Sequence, residues 1–273
     1  MSGRPIFIGG MYRSGTSLLR AMIGQHPNIA SGLETYWFDL AWPIEQPNEH
    51  VERLARFYEF EPAELYAMTR ECATVPAFLT RLLDEYAIRD GKARWAEKTP
   101  GNVSHIDHIL AAWPDAQIIH IIRDPKDVFA SLLESKKWDS VEEFTERWCG
   151  IFGAVETFRR VHPKKEGSYL ELRYETLVSD PITTTRQLCA FLDEPWNEQL
   201  ASFSGKPGDY EKVLSVTGKS STTLSRLGQP LTAGRIGVWR EVLSEAQISA
   251  LRNAVANRGL EAVFRRIEEF TAG

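Results

Sequence analysis

The feature that most restricts this 273-residue chain is a glycine-bounded turn set between a short apolar run and a helical repeat. Pro5-Ile6-Phe7-Ile8-Gly9 has the make-up of a buried strand, and Leu18, Leu19, Met22 and Ile23 recur at helical spacing up to His26-Pro27. Between them, Gly10-Met11-Tyr12-Arg13-Ser14-Gly15-Thr16-Ser17 has the GxxxxG frame of a phosphate-binding loop. Strand, tight turn and helix together point backbone N–H groups and the positive end of a helix dipole at an anion. The same turn also serves as a plain strand-to-helix connection; the hydroxyls of Ser14, Thr16 and Ser17 and the guanidinium of Arg13 favour the anion. Thr16 stands where a nucleotide triphosphatase has lysine, so the charge that would reach the β- and γ-phosphates is missing. Arg13 instead offers a planar fork suited to a single phosphate or sulfate group.

The rest of the chain repeats the alternation. Ala116 to Ile122 is a continuous apolar run of the kind buried on both faces of a sheet; Arg94 to Glu97 and Ser168 to Leu172 read as further strands. Helices are expected between Val51 and Tyr86, around His105 to Trp113, and from Thr183 to Phe191. Asp124-Pro125-Lys126-Asp127 is a helix start, with Asp124 as cap and Pro125 in the first helical position. Ser140 with Glu143 opens another helix, whose stripe of Val141, Phe144, Trp148, Ile151, Phe152, Val155 and Phe158 reads as core; Ser244 with Gln247 opens a C-terminal one that Gly259 can end. This order predicts an α/β fold, a P-loop-type parallel sheet flanked by helices on both faces, as one domain over residues 1–273. Phe203 to Trp239 has weak periodicity and several Gly and Ser residues, which suits a functional lid.

Composition narrows the partners. Lys and Arg number 32 against 37 Asp and Glu, a net charge of -5, which argues against a nucleic-acid surface while leaving a local basic pocket open. Three scattered cysteines suit a reducing compartment, and neither they nor any other cluster suggests a metal. No apolar run approaches the roughly 20 residues of a membrane helix. The expected location is therefore cytoplasmic, unless the chain is trimmed from a larger or membrane-anchored parent.

At this point the motifs carry a resemblance. Tyr12-Arg13-Ser14-Gly15-Thr16-Ser17-Leu18-Leu19 resembles the 5′-phosphosulfate loop of sulfotransferases, and Arg123-Asp124-Pro125-Lys126-Asp127-Val128-Phe129-Ala130-Ser131 resembles their 3′-phosphate motif. Glu97-Lys98-Thr99-Pro100, Arg173-Tyr174-Glu175-Thr176-Leu177, Gly205-Lys206-Pro207-Gly208 and Gly234-Arg235-Ile236-Gly237-Val238-Trp239 follow in family order, closest to the tyrosylprotein and bacterial branches. The resemblance implies 3′-phosphoadenosine 5′-phosphosulfate (PAPS) as donor and adenosine 3′,5′-bisphosphate (PAP) as product, with no metal. Carried over residue by residue, it implies donor binding by Arg13, Ser14, Gly15, Thr16, Ser17, Arg123, Ser131, Tyr174 and Arg235. It implies Glu34 as general base on an acceptor hydroxyl, and Lys98 with Arg13 stabilising charge on the leaving group. His105 and His108 are the alternative bases. Asp124 reads as a cap rather than a phosphate ligand, because a carboxylate would repel the anion.

The acceptor is left open among small molecules, lipid-like compounds, glycans and peptidyl tyrosine. Tyr36 stands where the tyrosylprotein enzymes have arginine, and with Trp37, Phe38 and Trp42 it predicts an aromatic rim. The competing readings are a P-loop nucleotide kinase or triphosphatase, and a nucleotide-binding module without activity.

Overall fold

The computed structural model describes residues 3–135, 138, 140–205, 207–217 and 226–268. Its frame is a five-stranded, all-parallel sheet of order β2-β3-β1-β4-β5, built from β1 (Ile6–Gly9), β2 (Ile29–Ser31), β3 (Arg94–Lys98), β4 (Gln117–Ile122) and β5 (Tyr169–Arg173). In the central strand Ile8 lies opposite Lys98 on one side and Ile119 on the other. Pleating sends alternate residues to opposite faces. Ile6, Ile8, Ile119 and Ile121 therefore join one apolar cluster, and Phe7, Ile118 and Ile122 another. Both faces are covered, which is why β1 and β4 read as unbroken apolar runs rather than alternating ones.

One face is packed by α1 (Thr16–Ile23), α8 (Tyr174–Ser179) and α9 (Pro181–Leu192), through Leu19, Leu177, Leu188 and their neighbours. The opposite face carries α2 (Glu49–Tyr58), α3 (Pro62–Glu71), α4 (Val75–Arg89), α5 (Ile106–Ala112), α6 (Pro125–Glu134) and α7 (Val141–Val161). The segment read as irregular contains α10 (Pro207–Thr217), and the chain closes with α11 (Trp239–Val242), α12 (Glu245–Ala256) and α13 (Glu261–Glu268). The stripe of α7 is core as expected, with Trp148 stacked on Phe152 at 4.2 Å. Asp124 caps α6 by accepting from the Lys126 amide at 2.8 Å, and Ser244 with Gln247 forms both halves of a capping box.

Five elements escaped the sequence pattern: β2, α8, α10, α11 and α13. β2 has three residues, too few for a period to register, α8 and α11 are helices of six and four residues, and α10 and α13 have no cap or stripe in the sequence reading. Trp37 belongs to the core rather than to a rim: it is 6% exposed, packs edge-on against Trp113, and donates its indole N–H to Asn102 Oδ1 at 3.0 Å. Its neighbour Phe38 stacks on His105 at 4.2 Å. Among the described residues no helix is long and apolar enough to cross a membrane.

This topology concentrates chemistry at one edge. Strands that all run the same way end together, and ligands of such sheets bind in the crevice beyond those ends. Gly10, Lys98, Arg123 and Tyr174 each follow or end a strand, and Glu34 lies three residues past β2.

Candidate active site

The phosphate loop joins β1 to α1. Arg13 has φ 70 and Gly15 φ 99, two left-handed residues that fold the chain sharply enough to start a helix at Thr16. At Gly15 only hydrogen fits, because a Cβ would lie 2.6 Å from Cδ2 of Tyr174. Arg13 bears strain that glycine would not, as residues at functional turns do. Ser14 and Thr16 are buried at 2% and 5% exposure.

On the β4 side of this loop lies a cleft of about 210 Å³, with Arg13, Gly15, Arg123, Ser131, Tyr174 and Arg235 in its wall and Leu227 and Leu231 opposite. Arg13 Nε donates to Ser131 Oγ at 3.0 Å, a contact between residues 118 apart in sequence. Arg123 is almost fully buried; its two terminal nitrogens donate to the carbonyls of Arg13 (3.1 Å) and Arg235 (2.5 Å), and its guanidinium lies 4.4 Å from the Tyr174 ring centre. Asp127, at the start of α6, accepts the amides of Gly237 (2.8 Å) and Trp239 (3.0 Å), which holds the segment bearing Arg235 against the cleft. Arg235 pairs with Glu134, and Arg226 approaches the same carboxylate at 3.9 Å. Burial, together with repulsion from Arg226, Arg123 and Arg235, pushes the Arg13 guanidinium down to about 10. The Nε atoms of Arg123 and Arg235 are buried with no hydrogen-bond partner among the described residues.

On the β3 side stands a second group. Lys98 is 3% exposed; its ammonium pairs with Glu34 Oε1 and lies 3.3 Å from Ser17 Oγ, in the first turn of α1. The other Glu34 oxygen accepts the Tyr36 hydroxyl. Burial pulls Lys98 below its ordinary value against the opposing pull of Glu34, and pushes the Tyr36 phenol well above the usual range, with the Glu34 charge adding to it.

The turn carrying Glu34 is pinned from three sides. Tyr58 donates to the Leu33 carbonyl at 2.5 Å, and Arg53 to the carbonyls of Glu34 and Thr35, both at 2.9 Å. Beneath them, the fully buried Glu97 accepts from Thr35 Oγ1 (2.7 Å), Thr99 Oγ1 (2.6 Å) and Asn102 Nδ2 (2.6 Å). Burial raises the Glu97 carboxyl, and these hydrogen bonds oppose the rise.

The sequence-predicted residues thus fall into two groups joined by one loop, Arg13, Arg123, Ser131, Tyr174 and Arg235 on one side and Glu34, Lys98 and Ser17 on the other. Arg13, expected to act with the 5′ group, has its side chain on Ser131. Of the alternative bases, His105 stacks on Phe38 and His108 on His105. Lys206 of the Gly205–Gly208 segment lies outside the described residues. Sequence reading did not single out Arg53, Glu134 or Arg226, nor the latch made by Asp127; nothing local marks them, since each acts on a residue distant in sequence. It set Tyr36 on the acceptor rim, whereas its hydroxyl turns inward onto Glu34.

The profile of the Sulfotransferase family matches residues 5–198, which takes in both groups except Arg226 and Arg235. This chain belongs to the sulfotransferase family. Among relatives of this sulfotransferase-family chain, Protein-tyrosine sulfotransferase A of Caenorhabditis elegans is 24% identical over 213 residues, 71% of this chain and 51% of that one. Protein-tyrosine sulfotransferase 1 of Homo sapiens is 24% identical over 248 residues, 86% of this chain and 62% of that one. The chain therefore spans about half to three-fifths of the length of these relatives. The fold is shared with the sulfotransferase domain of the Synechococcus PCC 7002 olefin synthase, at TM-score 0.68 and 20% identity, covering 92% of this chain and 94% of that one. It is shared too with mouse sulfotransferase SULT7A1 complexed with PAP, at TM-score 0.55 and 16% identity, covering 98% and 89%.

Proposed function

We propose that this chain transfers a sulfuryl group from PAPS to a hydroxyl of an acceptor. The observation that carries the reading is that one loop, Gly10 to Ser17, touches both an arginine cluster suited to an anion and the pair of half-buried Glu34 with buried Lys98. The cluster fits a nucleotide with phosphate at both ends. Four guanidiniums converge there, burial and their mutual repulsion lower Arg13, and the Nε atoms of Arg123 and Arg235 have no hydrogen-bond partner among the described residues. That SULT7A1 was solved with PAP supports the same ligand class.

In this reading Arg123, Ser131 and Arg235 hold the 3′-phosphate, Tyr174 borders the nucleotide beside Arg123, and Arg13 with the amides and hydroxyls of Ser14 to Ser17 serves the phosphosulfate side. The donor supplies a sulfuryl group whose bond to phosphate oxygen breaks as its bond to the acceptor oxygen forms. Glu34 takes the acceptor proton, for which a carboxylate within hydrogen-bond reach is required first and a suitable pKa second. Lys98, next to Ser17, neutralises the charge left on the phosphate oxygen.

The acceptor class best supported is an uncharged hydroxyl on an aromatic or aliphatic framework. Burial and, after it, the nearby Glu34 charge raise the Tyr12 phenol, whose ring packs edge-on against Trp138 at 5.7 Å. Arg53 is engaged with the Glu34 and Thr35 carbonyls, and Arg147, over the Trp138 ring at 4.8 Å, is the cation an acidic acceptor would meet there.

Calorimetry with chelator present tests the donor side. PAP should bind at least about tenfold more tightly than 5′-AMP, the least expected from losing charge-assisted bonds to one phosphate. ATP should not compete with it. Equal affinity for PAP and 5′-AMP overturns the two-ended site, and a screen of phenols and fatty alcohols with labelled donor tests the acceptor class.

A further inference from the structure

Both oxygens of Glu34 are taken, and the two partners differ in kind. Lys98 on Oε1 has a second task in the reading above, because it also stands beside Ser17 of the phosphate loop. Tyr36 on Oε2 has none. We propose that Tyr36 is a positioning residue for the base: its hydroxyl keeps the Glu34 carboxylate oriented and charged when Lys98 turns toward the phosphate side. The proposal rests on Glu34 being the base.

The backbone supports it independently. Tyr36 has φ 50 and ψ 41, a left-handed conformation that is uncommon for a bulky residue and persists only when its surroundings over-determine it. They do: the Tyr36 amide donates to Thr99 Oγ1 at 3.1 Å, Thr99 is tied to Glu97, and the Arg53 guanidinium sits 5.3 Å from the Tyr36 ring while gripping the two preceding carbonyls. A chain held this firmly in an unfavourable region delivers one thing to the site, a phenol hydroxyl against the carboxylate.

The charged and titratable groups around Glu34 are Lys98 from β3, Tyr12 from the phosphate loop and Arg53 from α2, with His50, Asp39 and Glu97 one residue further out. Lys98 and Arg53 favour the carboxylate whether or not Tyr36 is present. A phenol hydroxyl bonds the carboxylate more strongly than the neutral acid, so its removal should raise the Glu34 pKa.

The test compares pH profiles of kcat/KM. Tyr36→Phe should move the acidic limb upward by about one pH unit and lower kcat several-fold, with PAP affinity unchanged. Tyr36→Asn is the second variant: asparagine tolerates the left-handed backbone, which offsets part of the lost ring packing, and once folding is checked by thermal melting it should show the same upward limb. A limb that stays in place in both variants overturns the proposal. Glu34→Gln separates the two levels: if it keeps near-parental kcat, the reading of Glu34 as base fails; if it loses activity while Tyr36→Phe leaves the limb unmoved, only the role of Tyr36 fails.

Discussion

The arginine cleft and the glutamate corner share the phosphate loop but differ in how their charge is balanced. In the cleft, among the described residues, Arg13, Arg123, Arg226 and Arg235 face two carboxylates, Glu134 and Asp127, and Arg13 is driven down to about 10 by burial and by the other three cations. In the corner, one ammonium meets one carboxylate and a neutral phenol completes the set. A surplus of like charge is relieved by an incoming anion, whereas a balanced pair gains little from one. The cleft should therefore govern donor affinity and the corner turnover.

Glu34→Gln is the severest trial of that division. It should lower kcat by about 100- to 10,000-fold, the range for loss of a general base, while PAP affinity measured by calorimetry stays within a factor of two or so. A large loss of PAP affinity would dissolve the distinction between the two regions. Arg123→Ala should do the reverse, weakening PAP by roughly 30-fold or more, about 2 kcal/mol, because it removes a buried cation from an anion. Gly15→Ala strikes the hinge common to both: a Cβ there would meet Tyr174 at 2.6 Å on a backbone with φ 99. Urea unfolding should show a loss of about 1–3 kcal/mol, and unchanged stability would mean that the loop yields at Tyr174 more readily than its packing implies.

Two smaller effects sharpen the picture of the cleft. Glu134 competes with any anion for Arg235 and Arg226, so Glu134→Gln should tighten PAP by about two- to fivefold, less at high salt; weaker binding would show that Glu134 serves to aim Arg235. Behind Arg123, burial pushes the Asp124 carboxyl up to about 7, with the nearby Lys126 opposing. A folded-state pKa above the unfolded one contributes stability that is complete below about pH 4 and lost as pH rises through about 7. Asp124→Asn keeps a capping oxygen without that titration, so its Tm relative to the parent should improve steadily from pH 4 to 7 and then level off. A flat difference would place the Asp124 pKa near its ordinary value.

Much of the fold was legible because its signals are local. The GxxxxG frame, the Asp124-Pro125 start and the unbroken run in β4 each follow from backbone or burial constraints that a few adjacent residues satisfy alone. Glu34, Lys98, Arg123 and Ser131 were singled out through motif resemblance; in the structure Glu34 meets Lys98, and Ser131 lines one cleft with Arg123. What escaped reading was direction. Tyr36, Trp37 and Phe38 form one aromatic run in sequence; in the structure the first turns to Glu34, the second into the core and the third onto His105. No period separates three adjacent aromatics when a left-handed residue and a 3-10 turn reset the helix-or-strand alternation.

The chain by itself determined that strands would alternate with helices, that one turn would have the GxxxxG frame of a phosphate loop and that a second strand-to-helix turn would stand beside it, since glycine conformation, capping and apolar continuity act within a few residues. Tertiary structure alone decided which charges meet. Glu34 finds Lys98 from 64 residues away, and Arg13 finds Ser131 from 118, because five parallel strands stacked in the order β2-β3-β1-β4-β5 bring their ends to one edge.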